Sequence, residues 1–261
     1  MLDLISIEYI KLKNNSSFWI ILVFYMLISF YVVGKADSLP EGSDVFANPP
    51  LQFPMIWLTS TYCASFLVLF PSILIILNIG NEFKYKTARQ HVIDGLSKTT
   101  FILSKFISVC IIATIITIYI ILLSLFLGWQ SGGEVQDFFG EQFSFIAGFY
   151  IQLIGVLSFA FLISILFKRT GISIVVFVGY YFIEVILYYL IFEDSPIRDY
   201  LPLEVFNSLT FSPIKDNLDS FSGLSIPEFK LSLNWFSAAI GALYIAICLS
   251  LSILIFNRRD V

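Results

Sequence analysis

The sequence predicts an all-α polytopic membrane protein with six transmembrane helices and both termini on the cytoplasmic side. Composition is the first observation: 58% of the 261 residues are hydrophobic and only 13% charged, with a mean hydropathy of +0.88. A soluble domain is about 45–50% apolar and about 25% charged, and could not solvate this much apolar surface. The second observation is six apolar runs near the ~20 residues that a helix needs to cross the hydrocarbon. They are residues 18–33, 56–79, 101–129, 143–167, 172–192 and 235–256. Their length and uniform apolarity exclude barrel strands, and a helix satisfies its own backbone in lipid.

The third observation is the placement of charge. With the N-terminus inside, the cytoplasmic segments hold Lys11, Lys13, Lys84, Lys86, Arg89, Lys98, Lys105, Lys168, Arg169, Arg258 and Arg259. The outer loops hold Lys35, Arg198, Lys215 and Lys230 and most of the acids, including Asp37, Glu41, Asp44, Glu134, Asp137 and Glu141. This asymmetry follows the positive-inside rule and fixes an N-in, C-in orientation.

From the N-terminus, residues 1–16 predict a short amphipathic helix in the cytoplasmic interface. Leu2, Ile5, Tyr9 and Leu12 form its apolar face and Asp3, Glu8, Lys11 and Lys13 lie elsewhere around it. Lys11 and Lys13 before an apolar run resemble a signal peptide, but no small-x-small cleavage site follows Tyr31-Val32-Val33, so an uncleaved first span is expected. Pro40, Pro49, Pro50 and Pro54 make residues 34–54 an irregular outer loop. Residues 193–234 form the longest loop, with one or two short helices expected at Pro202–Thr210 and Ser225–Leu233.

Cys63, Cys110 and Cys248 all sit in apolar runs and match neither a metal site nor a disulfide framework. No phosphate-loop GxxxxGK[ST], GxSxG or HExxH motif is present, so the chain is not expected to be an enzyme. Its one histidine, His91, reads as a hydrogen-bonding group at a surface or interface rather than a catalytic base. Glu184 is an acid inside a span, flanked by Tyr180, Tyr181 and Tyr188. It either lines a polar path or, protonated, bonds one helix to another. In the last span Ala238, Ala242, Ala246 and Ser250 recur every four residues, a small-residue face suited to close helix packing. Packing within the chain is preferred to a dimer seam.

The polar stretch 81–105 lies between two long apolar spans and is far longer than a turn requires. Thr87 is placed to cap a short helix through Ile93, Gly95 to end it in the left-handed conformation, and Ser97 to cap the helix entering the third span. Glu82, Thr87, Arg89-Gln90, the run Val92-Ile93-Asp94-Gly95-Leu96-Ser97-Lys98, and Lys105 at re-entry resemble the ABC-2 type permeases of ABC transporters. Lys98 stands where that family commonly has Arg, Ser104 where Gly is frequent, and Lys86 where Gly often precedes the Thr.

The resemblance implies the transmembrane subunit of an ATP-binding cassette exporter in the bacterial cytoplasmic membrane. Residues 1–16 would be the connecting helix and 81–100 the coupling segment. Glu82, Thr87, Arg89, Gln90, His91, Asp94, Gly95, Ser97 and Lys98 would contact a cytoplasmic ABC ATPase subunit, which supplies ATP and Mg. No cofactor is expected in this chain and no nucleic acid as partner. A second permease copy, identical or not, would complete the assembly, and Glu184, Tyr62, Tyr180 and Tyr181 would be candidates for the transport path. A non-transporting membrane scaffold or sensor subunit is the alternative reading, ahead of a secondary transporter, since no internal repeat is evident.

Overall fold

The computed structural model describes residues 2–36, 51–93, 95–132, 143–191, 200–210 and 235–258, with backbone alone for residues 2–7, 92, 189 and 190. Among the described residues every regular element is a helix. They are α1 (Leu2–Lys13), α2 (Ser16–Gly34), α3 (Ile56–Phe66), α4 (Leu69–Lys84), α5 (Thr87–Ile93), α6 (Lys98–Gln130), α7 (Ser144–Phe167), α8 (Thr170–Ile186), α9 (Pro202–Asn207) and α10 (Trp235–Arg258). A π-helical turn, Leu187–Ile191, continues α8.

Helices α2, α6, α7 and α10 are each long and apolar enough to cross a membrane, and α3 and α4 taken together are long and apolar enough for a further, bent span. The protein is therefore membrane-embedded. The run 56–79, expected as one continuous helix, is broken at Leu67–Val68 with a bend of 49°. Pro71 supplies the reason: its ring excludes the carbonyl of Leu67 one turn earlier and it has no N–H to continue the ladder. As the third residue of α4, it is tolerated in the first turn of a new helix. The run 172–192 is also shorter as an α-helix than expected, because α8 stops at Ile186.

Small polar side chains are buried within the apolar core, and large apolar ones are left on the outside. Ser29, Ser60, Thr61, Ser72, Ser124, Gln152, Ser158, Ser173 and Ser252 are fully or almost fully buried. Large apolar residues such as Ile20, Leu27, Tyr31, Leu122, Val175 and Leu243 face outward. In lipid no hydrophobic drive holds helices together, so small side chains and interhelical hydrogen bonds do so. Ser124 donates to Ser60 across α6 and α3 at 2.6 Å, and the Tyr119 hydroxyl donates to the Met26 carbonyl at 2.6 Å, tying α6 to α2.

Helix α7 is the hub, packed against α3, α4, α6, α8, α9 and α10 with Phe149, Leu153, Leu157, Ala160 and Phe161 at 0% exposure. The small-residue face expected to pack in the last span is not the packed one. Ala238 is buried, but Ala242, Ala246 and Ser250 are exposed. The buried face of α10 is Ala238, Gly241, Cys248, Ser252 and Phe256, so the four-residue stripe is not the seam within this chain.

Candidate functional site

The expected interfacial helix α1 has its polarity reversed at the positions that matter. Tyr9 is 53% exposed, while Glu8, assigned to the polar face, is 3% exposed. Leu12 is buried as expected; the side chains of Leu2, Asp3 and Ile5 lie outside the described residues. A carboxylate is buried only where it finds partners, and Glu8 finds two on α6. Its Oε1 accepts from Lys105 Nζ at 2.7 Å and its Oε2 from Ser108 Oγ at 2.9 Å.

Lys105 is 1% exposed and also donates to Oε1 of Glu82, at the C-terminal end of α4. The same Glu82 oxygen accepts from Lys11 Nζ of α1 at 3.1 Å. Its other oxygen accepts from the Thr87 hydroxyl, which also reaches the Glu82 carbonyl at 3.1 Å. Lys11 Nζ further lies 3.3 Å from Nε2 of His91 on α5. Lysine can only donate, so Nε2 accepts and the ring proton sits on Nδ1. Two carboxylates and two ammonium groups balance, which is what allows Glu8, Glu82 and Lys105 out of water while Lys11 stays 35% exposed.

Glu82 lies past Ile79, beyond the apolar run. Burial alone would raise the pKa of its carboxyl. The Lys105 charge and hydrogen bond, with Thr87 and Lys11, outweigh that and hold it below the usual carboxylate range. Glu82 is thus the ionised junction of α1, α4, α5 and α6.

Helix α5 is shaped by local chemistry. Thr87 is the first residue of α5, and its hydroxyl donates back to the ionised Glu82, a strong acceptor. Gly95 has φ +96°, the left-handed turn expected, and Leu96 N donates to the His91 carbonyl at 3.0 Å. Ser97 caps α6, accepting from Thr100 N at 3.1 Å. Lys98 Nζ donates to the Asn257 carbonyl at 3.3 Å, fastening α6 to the end of α10. Phe101 stacks on Phe256 at 5.3 Å between centroids in the same seam.

One face of α5 is left outward. Ala88 is 1% exposed against the bundle, whereas Ile93 is 74% exposed and Arg89 and Gln90 are exposed beside it. Asp94 lies outside the described residues. Sequence reasoning missed three parts of this arrangement: Glu8, Ser108 and Ile93. Glu8 was hidden because an acid on an amphipathic helix reads as solvated, and Ile93 because an apolar residue in a short helix reads as buried.

Glu184 sits elsewhere. It is 3% exposed, and its Oε1 accepts from the backbone N–H of Glu204 at 2.8 Å. Helix α9 starts at Pro202 without a side-chain cap of its own, so α8 supplies that cap in trans. Tyr180 and Tyr181 are half-buried on the same helix. Tyr62 lies on α3, with its ring 4.9 Å from Phe66. Helix α3 packs on α2, α6 and α7, whereas α8 packs on α4, α7 and α9. The four candidate path residues are therefore split between Tyr62 on one side and a group around Glu184 on the other.

A family model described as a protein of unknown function (DUF2705) matches residues 47–261. No curated protein matches the chain.

Proposed function

We propose that this chain, which belongs to the DUF2705 family, is the permease subunit of an ATP-binding cassette exporter in the bacterial cytoplasmic membrane. It would have six spans with both termini inside, α8 with its π-turn being the fifth. ATP and Mg would be bound by a separate cytoplasmic ATPase subunit, and a second permease copy would complete the transporter.

The observation that carries the reading is the buried ion cluster beneath an outward-facing α5. A short helix presents Arg89, Gln90 and Ile93 outward, and its root at Glu82 is bonded to α1 and α6. An ordinary loop has no need of a buried lysine shared by two carboxylates. A lever does, since force applied to α5 must reach the spans without bending the joint. In this account α5 is the coupling helix and α1 the connecting helix. Closure of the ATPase pair displaces α5, and Glu82 and Lys105 pass the displacement into α4 and α6. Gly80 of α4, packed on Thr170 of α8, carries it onward.

The test is coexpression with the ABC ATPases encoded in the same genome, followed by co-purification and ATPase assay in nanodiscs. The wild-type chain is expected to retain one ATPase and stimulate it. The R89E/I93D variant should lose both properties while keeping its thermal stability. Failure of every ATPase to co-purify with the wild type would overturn the proposal.

A further inference from the structure

A second basic patch lies at the cytoplasmic ends of α4 and α7, apart from the cluster around Lys105. Close packing holds it in place. A Cβ on Gly80 would stand 2.1 Å from the Thr170 hydroxyl oxygen, so α4 touches the first residue of α8, directly after Lys168 and Arg169. Lys168 is itself in the left-handed region, with φ 54°, and its ammonium lies 5.7 Å from the centroid of the Phe83 ring. One residue on, the Lys84 ammonium lies 5.4 Å from the Tyr85 ring.

Lys84 and Arg169 are exposed, and no carboxylate among the described residues pairs with either. Among the described side chains, the acids at this end, Glu8 and Glu82, are taken by Lys105 and Lys11. Tyr85 is 67% and Phe167 37% exposed. Cations from two separate elements thus stand beside aromatic rings where the apolar parts of α4 and α7 end and α8 begins. That level is where lipid headgroups and the water boundary meet. Below it, Ile172 and Val175 of α8 present an open apolar surface.

We propose that this patch is a docking site for an anionic phospholipid. Lys84 and Arg169 hold the headgroup phosphate, Tyr85 and Phe167 flank it, and the acyl chains run along Ile172 and Val175. The site is built on the end of α4 and the α7–α8 turn, whereas Arg89 and Ile93 belong to a separate element, α5. The anionic inner leaflet supplies the ligand, and each basic residue near the surface adds to its retention.

The experiment is native mass spectrometry and thermal unfolding of the purified chain in phosphatidylcholine nanodiscs with increasing phosphatidylglycerol. The wild type is expected to retain phosphatidylglycerol selectively and to unfold at higher temperature with it. K84Q/R169Q should weaken that retention on the order of tenfold, whereas K84R/R169K and R89Q should retain it as the wild type does. The conservative pair shows that the loss follows charge and not misfolding. Equal retention of the two lipids, or undiminished retention by K84Q/R169Q, would overturn the proposal. So would equal weakening by R89Q, which would show a diffuse field instead of a site. Protection by glycerol phosphate equal to that by the lipid would show a free-anion site and would also overturn it.

Discussion

Lys105 is the residue on which the junction of α1, α4, α5 and α6 depends. It is 1% exposed and shared by Glu8 and Glu82, so removing it leaves the buried Glu8 without a cation and Glu82 with Lys11 alone. Lys105→Met is expected to lower stability by about 3–5 kcal/mol, read as a fall in thermal or denaturant midpoint in detergent. Replacing the acids as well, with E8Q and E82Q, should recover much of the loss, because no buried carboxylate is then left unpaired and the remaining charge, Lys11, is 35% exposed to water. If K105M alone left the midpoint unmoved, the cluster would not be a structural joint. Lys86 carries the opposite lesson. Its φ of 57° costs an L-residue with a Cβ roughly 1–2 kcal/mol, and glycine avoids that at some cost in unfolded-state entropy. Lys86→Gly is therefore expected to raise the midpoint slightly, by up to about 1 kcal/mol, and Lys86→Val to lower it.

Among the helices, the two ends of the bundle are held by different devices. At the end that carries Glu82, ion pairs fasten α1 and hydrogen bonds of Thr87 and His91 fasten α5. At the other end α9 is seated by Glu184 and by the Phe206 ring lying on Gly155, where a Cβ would stand 2.1 Å from Cε1. Gly155→Val should lift α9 from the bundle. In a background with Cys63, Cys110 and Cys248 replaced by Ala, Leu209→Cys is buried at a position now 0% exposed. It should resist maleimide, and react once Gly155→Val is added; continued protection would show that α9 stays seated. Glu184→Gln keeps an acceptor for the Glu204 amide and should keep Leu209→Cys protected, whereas Glu184→Ala should not. A transport defect in a still-seated Glu184→Gln would assign the residue to the path and not to packing alone. These elements were unequally legible in the sequence. The caps at Gly95 and Ser97 follow from backbone chemistry that is local, and they stand where the residues place them. The break at Leu67–Val68 was hidden because the run around Pro71 stays apolar throughout, and hydropathy does not register a missing N–H. The buried face of α10 was misread because small residues mark where helices can approach, not which neighbour does.

The whole molecule was legible in class but not in connection. Composition and six apolar runs mark a membrane protein, since no arrangement of these side chains could be solvated by water. What they cannot encode is which distant residues meet. Glu8 and Lys105 are 97 positions apart, and only the fold brings an acid from the first helix onto a lysine of the sixth. That meeting turns a polar interruption at residues 81–105 into a rigid joint with one exposed face. The claim that the face receives an ATPase is tested most directly by placing a photocrosslinking amino acid at Ile93. A control goes at Trp129, 79% exposed near the far end of α6. Irradiation in cells is expected to join an ABC ATPase to position 93 and none to position 129. An ATPase captured at neither position, or equally at both, would contradict the account.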